Sequence, residues 1–146
     1  MNKVISTVAL AATLTLVGCQ SNRNAEAPPN PTASQIRYSG ILPCADCSGI
    51  RTSLTLYQDQ FNNPTRFQLQ EDYMDGAQVK LSNSERGDWH RQERIEKNVR
   101  HQLIILNPEQ PEERRYFIKD TVNAIELLDQ DGNRIDSQFN YRLLER

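Results

Sequence analysis

An all-β fold, a small antiparallel barrel of about eight strands, is what this sequence predicts, and three observations carry the prediction. Apolar residues recur with period two rather than 3.6 from Gln35 onward. Turn residues interrupt these runs at short, regular intervals. The spacing leaves no room for the crossover helices that a parallel sheet needs, and closure into a barrel removes exposed strand edges.

The strands follow in order. The first is expected near 35–42. The second, near 50–57, sets Ile50, Thr52, Leu54 and Leu56 against Arg51, Ser53, Thr55 and Tyr57. The third, near 65–73, alternates Phe67 and Leu69 with Arg66, Gln68 and Gln70. Asn62-Asn63-Pro64 is the loop before it, and Asp75-Gly76 is a hairpin signal after it. A fourth strand is expected near 78–89. Arg91 to Lys97 has helical propensity, but Ile95 is its single apolar residue, so no buried face supports a helix and an extended, charged hairpin or loop is expected. The fifth strand, near 100–106, contains the continuous apolar run Leu103 to Leu106, which suits a strand covered on both faces. Asn107-Pro108 ends it. Alternation resumes at Tyr116 and Ile118 (114–119), at Ile125 and Leu127 (123–129), and at Phe139, Tyr141 and Leu143 (138–145), with an Asp131-Gly132 turn before the last.

The amino terminus reads differently. Lys3 precedes an apolar run, Val4 to Val17, which as a helix would reach only about 21 Å at ~1.5 Å per residue, against a hydrocarbon core of ~30 Å. Residues 1–18 are therefore expected to be a secretory signal rather than a membrane span. The signal ends in Leu16-Val17-Gly18-Cys19, which resembles the lipobox of bacterial lipoproteins. That resemblance implies diacylglycerol on the Cys19 sulfur, cleavage before Cys19 and acylation of the new amino terminus, more than the two signals stable anchoring takes. Gln20 stands where aspartate would be the retention cue for the inner membrane, so the outer membrane is the expected destination. Residues 19–35 then form a tether. Ser21 to Gln35 carries Pro28, Pro29 and Pro31 and no apolar residue larger than Ala before the domain, so nothing there offsets the entropy of ordering. Those residues extend to about 45–50 Å at most, at roughly 3.1–3.3 Å each. Residues 36–146 are about one ordinary domain.

Composition excludes one class of partner. The chain has 17 Lys and Arg against 19 Asp and Glu, a formal net charge of −2. Lys3 is lost with the signal, which makes the mature chain one charge more acidic. The densest basic stretch, Arg86 to Arg100, is interleaved with Glu85, Asp88, Glu93 and Glu96, so its field nearly cancels and nucleic acid is not an expected partner. Catalysis is not expected either. There are two histidines, no Gly-x-Ser-x-Gly, no Ser-x-x-Lys and no clustered metal-ligand motif.

Cys44-Ala45-Asp46-Cys47, between Pro43 and Gly49, is the constellation with chemical potential. Three chemistries compete for it. A thioredoxin-type pair needs the first cysteine at a helix amino terminus, and the surroundings here are β. A plain disulfide suits an oxidising periplasm, with little stabilisation because the closed ring is small. A soft-metal site would set the two thiolates on one ion, and copper(I) fits two soft ligands better than zinc, which wants four. His90, His101 and Met74 are the other soft or borderline donors of the mature domain, and nothing in the sequence places them near the pair. The histidines read as surface residues and Met74 as rim packing.

The run Tyr38-Ser39-Gly40-Ile41-Leu42-Pro43-Cys44-Ala45-Asp46-Cys47-Ser48-Gly49-Ile50, followed by Thr52, Leu54 and Leu56, resembles the amino-terminal domain of the copper-resistance lipoprotein family NlpE. Gly87-Asp88-Trp89, Tyr116-Phe117, Leu128 to Gly132 and Asn140-Tyr141-Arg142-Leu143 agree with it. The resemblance implies a lipocalin-like β-barrel on an outer-membrane lipoprotein, copper tolerance, and envelope-stress signalling through the Cpx sensor kinase. It maps Cys44 and Cys47 onto the family's cysteine pair and Cys19 onto its lipid attachment. Longer members carry a second, carboxy-terminal domain with further cysteines, and sensing through a disulfide of that domain is not expected of this chain. Two functions follow as expectations. One is a non-enzymatic envelope protein acting through the Cys44/Cys47 loop, by metal or partner contact. The other is a binding module whose barrel holds a small apolar ligand, with a purely structural cysteine pair.

Overall fold

A computed structural model describes residues 34–146. The expected signal, the tether up to residue 33 and Cys19 lie outside the described residues. Eight antiparallel strands close on themselves in chain order: β1 (Ser34–Leu42), β2 (Gly49–Gln58), β3 (Pro64–Asp75), β4 (Gln78–Glu96), β5 (Val99–Leu106), β6 (Arg115–Thr121), β7 (Ala124–Leu127) and β8 (Arg142–Glu145). There is no helix among the described residues. β1 starts one residue before its expected place, with Ser34 opposite Gln58, and the ring shuts where Tyr38 and Ser39 meet Glu145 and Leu144.

The interior follows from the alternation. Leu54, Leu56, Phe67 and Leu69 point inward together with Tyr38, Leu42, Trp89, Ile104, Leu106, Phe117, Ile125 and Leu143, so every strand contributes to one buried cluster. Trp89 lies at its heart, 1% exposed, with its indole Nε1 donating to the Tyr57 carbonyl at 2.8 Å. Gly87 makes room for this packing. A Cβ there would sit 2.9 Å from Phe67 Cε1 and collide with the Asn107 side chain, which is itself buried.

Three regions depart from the expected pattern. Residues 91–96 take the expected extended, charged hairpin form, but as a continuation of β4, which runs to Glu96 rather than ending near 89 and pairs with β5. Lys97 and Asn98 make the turn with φ of 50° and 65°, the two positive values that a tight type I′ hairpin requires. In β6 the inward phase belongs to Phe117, whereas Tyr116 and Ile118 lie on the outer wall in a second cluster with Leu103, Ile105 and Leu128. Last, residues 138–141 are not strand: β8 begins at Arg142 and Phe139 is 71% exposed.

The 128–141 connection explains the second and third differences. Its Asp131-Gly132 turn is present, with the Asp129 carboxylate accepting from the backbone N–H of Asp131 and Asn133. Rather than joining β7 directly to β8, however, the segment runs back along the outer wall. There Arg94 donates to the Gly132 carbonyl, and Arg134 reaches Glu96 at 3.2 Å, Asp120 at 3.2 Å and Glu126 at 2.8 Å. This strap covers Leu103, Ile105 and Ile118, which is why the 103–106 run is apolar on both faces. Burial alone would raise the Glu96 carboxyl, but Arg134 and Arg94 outweigh it and hold it below the usual value.

Up-and-down order sorts the connections between two rims. One rim carries 43–48, 76–77, 107–114 and 128–141, and is called the far rim below. The near rim carries the start of β1 at Ser34 and the turns 59–63, 97–98 and 122–123. β1 itself separates the two by about 30 Å of strand, at roughly 3.3 Å per residue.

A polar group closes each end of the apolar interior. Towards the near rim, Lys119 Nζ donates to the Tyr38 hydroxyl at 3.2 Å and to Glu145 at 3.1 Å, and lies 5.7 Å from the Tyr38 ring centre. Burial pushes Lys119 down, but the hydrogen bonds to Tyr38 and Glu145 outweigh it and hold its ammonium above the ordinary lysine range. Towards the far rim, Arg115 makes a two-pronged contact with Glu71, at 2.8 and 3.2 Å, and meets Glu85 at 3.2 Å. Asn107 donates to Glu85 at 2.6 Å.

Candidate functional site

The 43–48 connection carries the two cysteines at the far rim. β1 ends at Leu42 because Pro43 supplies no amide for the ladder. β2 begins at Gly49, whose φ of 147° and close approach to Ile41 favour glycine: a Cβ there would stand 2.6 Å from Ile41 Cγ2. Between them Cys44 and Cys47 form a disulfide, with Cα atoms 5.3 Å apart. Both cysteines are half-buried, while Ala45, Asp46 and Ser48 are exposed.

The loop is fastened to its neighbour. Ser48 N–H donates to the Met74 carbonyl at 2.8 Å, and Ser48 Oγ accepts from the Gly76 N–H at 2.7 Å. Gly49 stands opposite Met74 in the β2–β3 register. The 43–48 connection and the β3–β4 turn therefore act as one piece of rim. Beneath them, Arg51 Nη2 lies 3.0 Å from the Met74 thioether sulfur. Hydrogen bonds from Ser82 and Gln70, with the Arg51 charge behind them, hold the neighbouring Asp72 carboxyl below its usual value.

Of the donors singled out in the sequence, the structure brings one to the pair. Met74 is buried at the far rim against the cysteine loop, a packing residue whose sulfur already faces Arg51. His90 and His101 lie away on β4 and β5, opposite Ile105 and Arg94. No group of three or more His, Cys, Asp or Glu side chains able to hold a metal occurs among the described residues. Ser48 was not singled out, yet it is the residue that ties the loop down. The signal was available: alternation through β2 and β3 with a turn at Asp75-Gly76 sets Gly49 opposite Met74, and so Ser48 beside the turn.

As paired here, Cys44 and Cys47 present no thiolate, so this form is a clasp and a two-electron acceptor rather than a metal site. No helix follows the second cysteine, so the dipole that lowers a thioredoxin-type thiol pKa is missing. The far rim also holds a groove of about 300 Å³ lined by the polar residues Asn83, Ser84, Glu85 and Glu113.

The described residues thus define a class of domain, a closed eight-stranded antiparallel barrel with a core drawn from every strand and a cystine on an end loop. Residues 38–138 match the NlpE N-terminal domain family. The chain belongs to the NlpE family. It is 30% identical over 145 residues to Lipoprotein NlpE of Escherichia coli (strain K12), covering 96% of this chain and 55% of that protein. Among solved structures it is similar to the crystal structure of the Cpx pathway activator NlpE from Escherichia coli, with 31% identity and a TM-score of 0.47 over 73% of this chain and 48% of that one. The chain thus spans about half the length of these relatives.

Proposed function

We propose that this chain is a lipoprotein acylated at Cys19 and held on the periplasmic face of the outer membrane. There it serves copper tolerance and Cpx-type envelope-stress signalling through the 43–48 loop, without catalysing a reaction. Two names support the reading: one relative is a lipoprotein and one is described as a Cpx pathway activator. The observation that carries it is the cystine on the far rim, half-buried in an exposed loop and fastened through Ser48 to the adjacent turn.

The disulfide and the copper(I) readings are two states of one site. Two electrons and two protons, delivered by a thiol reductant of the envelope, convert the cystine to two thiols. Copper(I) then displaces both protons and is held between the two sulfurs, a low coordination number that suits this soft ion. A change of state would be felt at the β3–β4 turn, because Ser48 bridges the two segments, and a partner such as a sensor kinase can read that rim. The alternative, a small apolar ligand in the barrel with a structural cysteine pair, would have to share the interior with a buried cluster that draws on all eight strands.

The test is a Cys44→Ser, Cys47→Ser double variant of the full chain, expressed in cells with an envelope-stress reporter and challenged with copper. Stability should fall by no more than about 2 kcal/mol, because the ring is small, while the reporter response should change clearly. An unchanged response from a correctly exported variant would remove the cysteine loop from the function.

A further inference from the structure

We propose that the near rim is a lipid-contacting surface, and that the barrel stands on the bilayer with its cystine rim turned outward. The inference deepens the lipoprotein reading and rests on anchoring at Cys19.

All three turns of the near rim present a large apolar side chain to water. Phe61 is 73% exposed in the 59–63 turn, Ile95 is 70% and Val99 53% exposed beside the 97–98 turn, and Val122 is 83% exposed in the 122–123 turn. Comparable side chains are exposed towards the other end, Ile41 at 63% and Leu81 at 60%, so the near rim is singled out by apolar residues at every one of its turns together with the entry of the chain there. Positions in tight turns favour polar residues or glycine, yet Val122 occupies half of the two-residue turn between Thr121 and Ala124. Ile95 and Val99 face Arg100 and Glu96 across the hairpin, so neither has an apolar cross-strand partner. Phe61 is held in place by its turn: the Asp59 carboxylate accepts from the N–H of both Phe61 and Asn63 at 2.8 Å. A loop held by these bonds thus displays an aromatic ring that is largely exposed.

The occupant follows from where the chain enters. Ser34, the first residue of β1, sits on this same rim, and 14 residues separate it from Cys19. A leash that short keeps the near rim at high effective concentration beside the lipid surface, so weak apolar contacts suffice to orient the domain. Charge agrees with the orientation. Lys97 and Arg100 flank the tip of the protruding hairpin, where Glu96 is already paired with Arg94 and Arg134, whereas the 107–114 connection of the far rim carries Glu109, Glu112 and Glu113. Apolar tips with cations beside them suit the boundary between phospholipid headgroups and acyl chains, and an acidic rim is turned away from an anionic one.

The acylated full chain, purified from cells, is reconstituted into vesicles of phosphatidylethanolamine and phosphatidylglycerol containing brominated acyl chains. Val122→Trp and, independently, Phe61→Trp report on the near rim, Gln110→Trp reports on the far rim, and buried Trp89 supplies a constant background. Quenching above that background at positions 122 and 61, and none at 110, is the expected result. Chains that float with the vesicles but show no added quenching at either near-rim position overturn the proposal while leaving the anchor intact. A blue shift at position 122 that grows with protein density and is insensitive to bromine would mean that a second copy covers the turns, which also overturns it. Chains that do not float at all remove the anchor reading, and this inference falls with it.

Discussion

Arg115→Ala is expected to destabilise the barrel by about 3 kcal/mol, measured as a shift of the urea midpoint at unchanged slope. Breaking one partner of a buried ion pair costs about 3–5 kcal/mol, because the other charge is left without compensation. Glu71 is that other charge, with a side chain 5% exposed, while Arg115 keeps 31% of its side chain in water, which places the loss at the lower end of the range. Glu71 cannot turn outward, since its strand alternates inward with Phe67 and Leu69. The double replacement Glu71→Leu, Arg115→Met should recover most of the loss, because it removes both charges of the buried pair while Glu85, which is less buried, keeps its hydrogen bond from Asn107. If the single and double variants are equally unstable, the charge argument is wrong and shape alone matters at this site.

The second large effect is expected at Trp89. Trp89→Ala should cost about 3–5 kcal/mol, the range for truncating a buried Trp or Phe, and should further strip the Tyr57 carbonyl of its indole donor. Arg91, whose guanidinium lies 5.5 Å from the indole centre, loses its stacking surface as well. Because Trp89 joins β4 to a cluster that draws on every strand, the loss should appear as a lower midpoint of one cooperative transition, followed by circular dichroism. Trp89→Phe should retain much of the packing and lack the hydrogen bond, so its midpoint should fall between the two. A Trp89→Ala midpoint within experimental error of the parent would show that β4 is not held through the interior.

Much of this architecture was legible before any coordinates, and the reason is physical. Inward residues of β2 and β3 obey strict alternation because one face meets the core and the other meets water. Asp75-Gly76 marks a tight turn because Gly76, at a φ of 59°, can take the conformation the turn needs. Where the outer face is not wetted, alternation stops carrying the phase. Tyr116 and Ile118 looked like core positions and lie under the 128–141 strap, which left Phe117 to point inward. The reach of β4 was hidden for the opposite reason: residues 91–96 bury no apolar side chain, so their strand is defined by backbone pairing with β5 and by polar contacts of Arg94 and Glu96 rather than by a hydrophobic face.

The candidate site was legible as residues and not as a place. The cysteine spacing alone left a disulfide, a dithiol and a metal pair open, since all three bring the same sulfurs together. The β2–β3 register places Ser48 beside the β3–β4 turn, but the hydrogen bond its hydroxyl accepts there, and the approach of Arg51 to the Met74 sulfur, are side-chain contacts that spacing does not convey. The same register separates the cystine by the length of β1 from the rim at which the chain enters.

Thiol trapping in living cells tests the claim at the centre of this account, that the far rim is clasped by a reducible cystine. Cells are quenched in acid, free thiols are blocked, disulfides are reduced, the newly exposed thiols are tagged with a second reagent, and the peptide containing residues 44–47 is weighed. Unstressed cells should yield Cys44 and Cys47 carrying the second tag alone, with the first tag rising on both together under copper or reductive challenge. Both cysteines carrying the first tag in unstressed cells, or neither responding to any challenge, would contradict it.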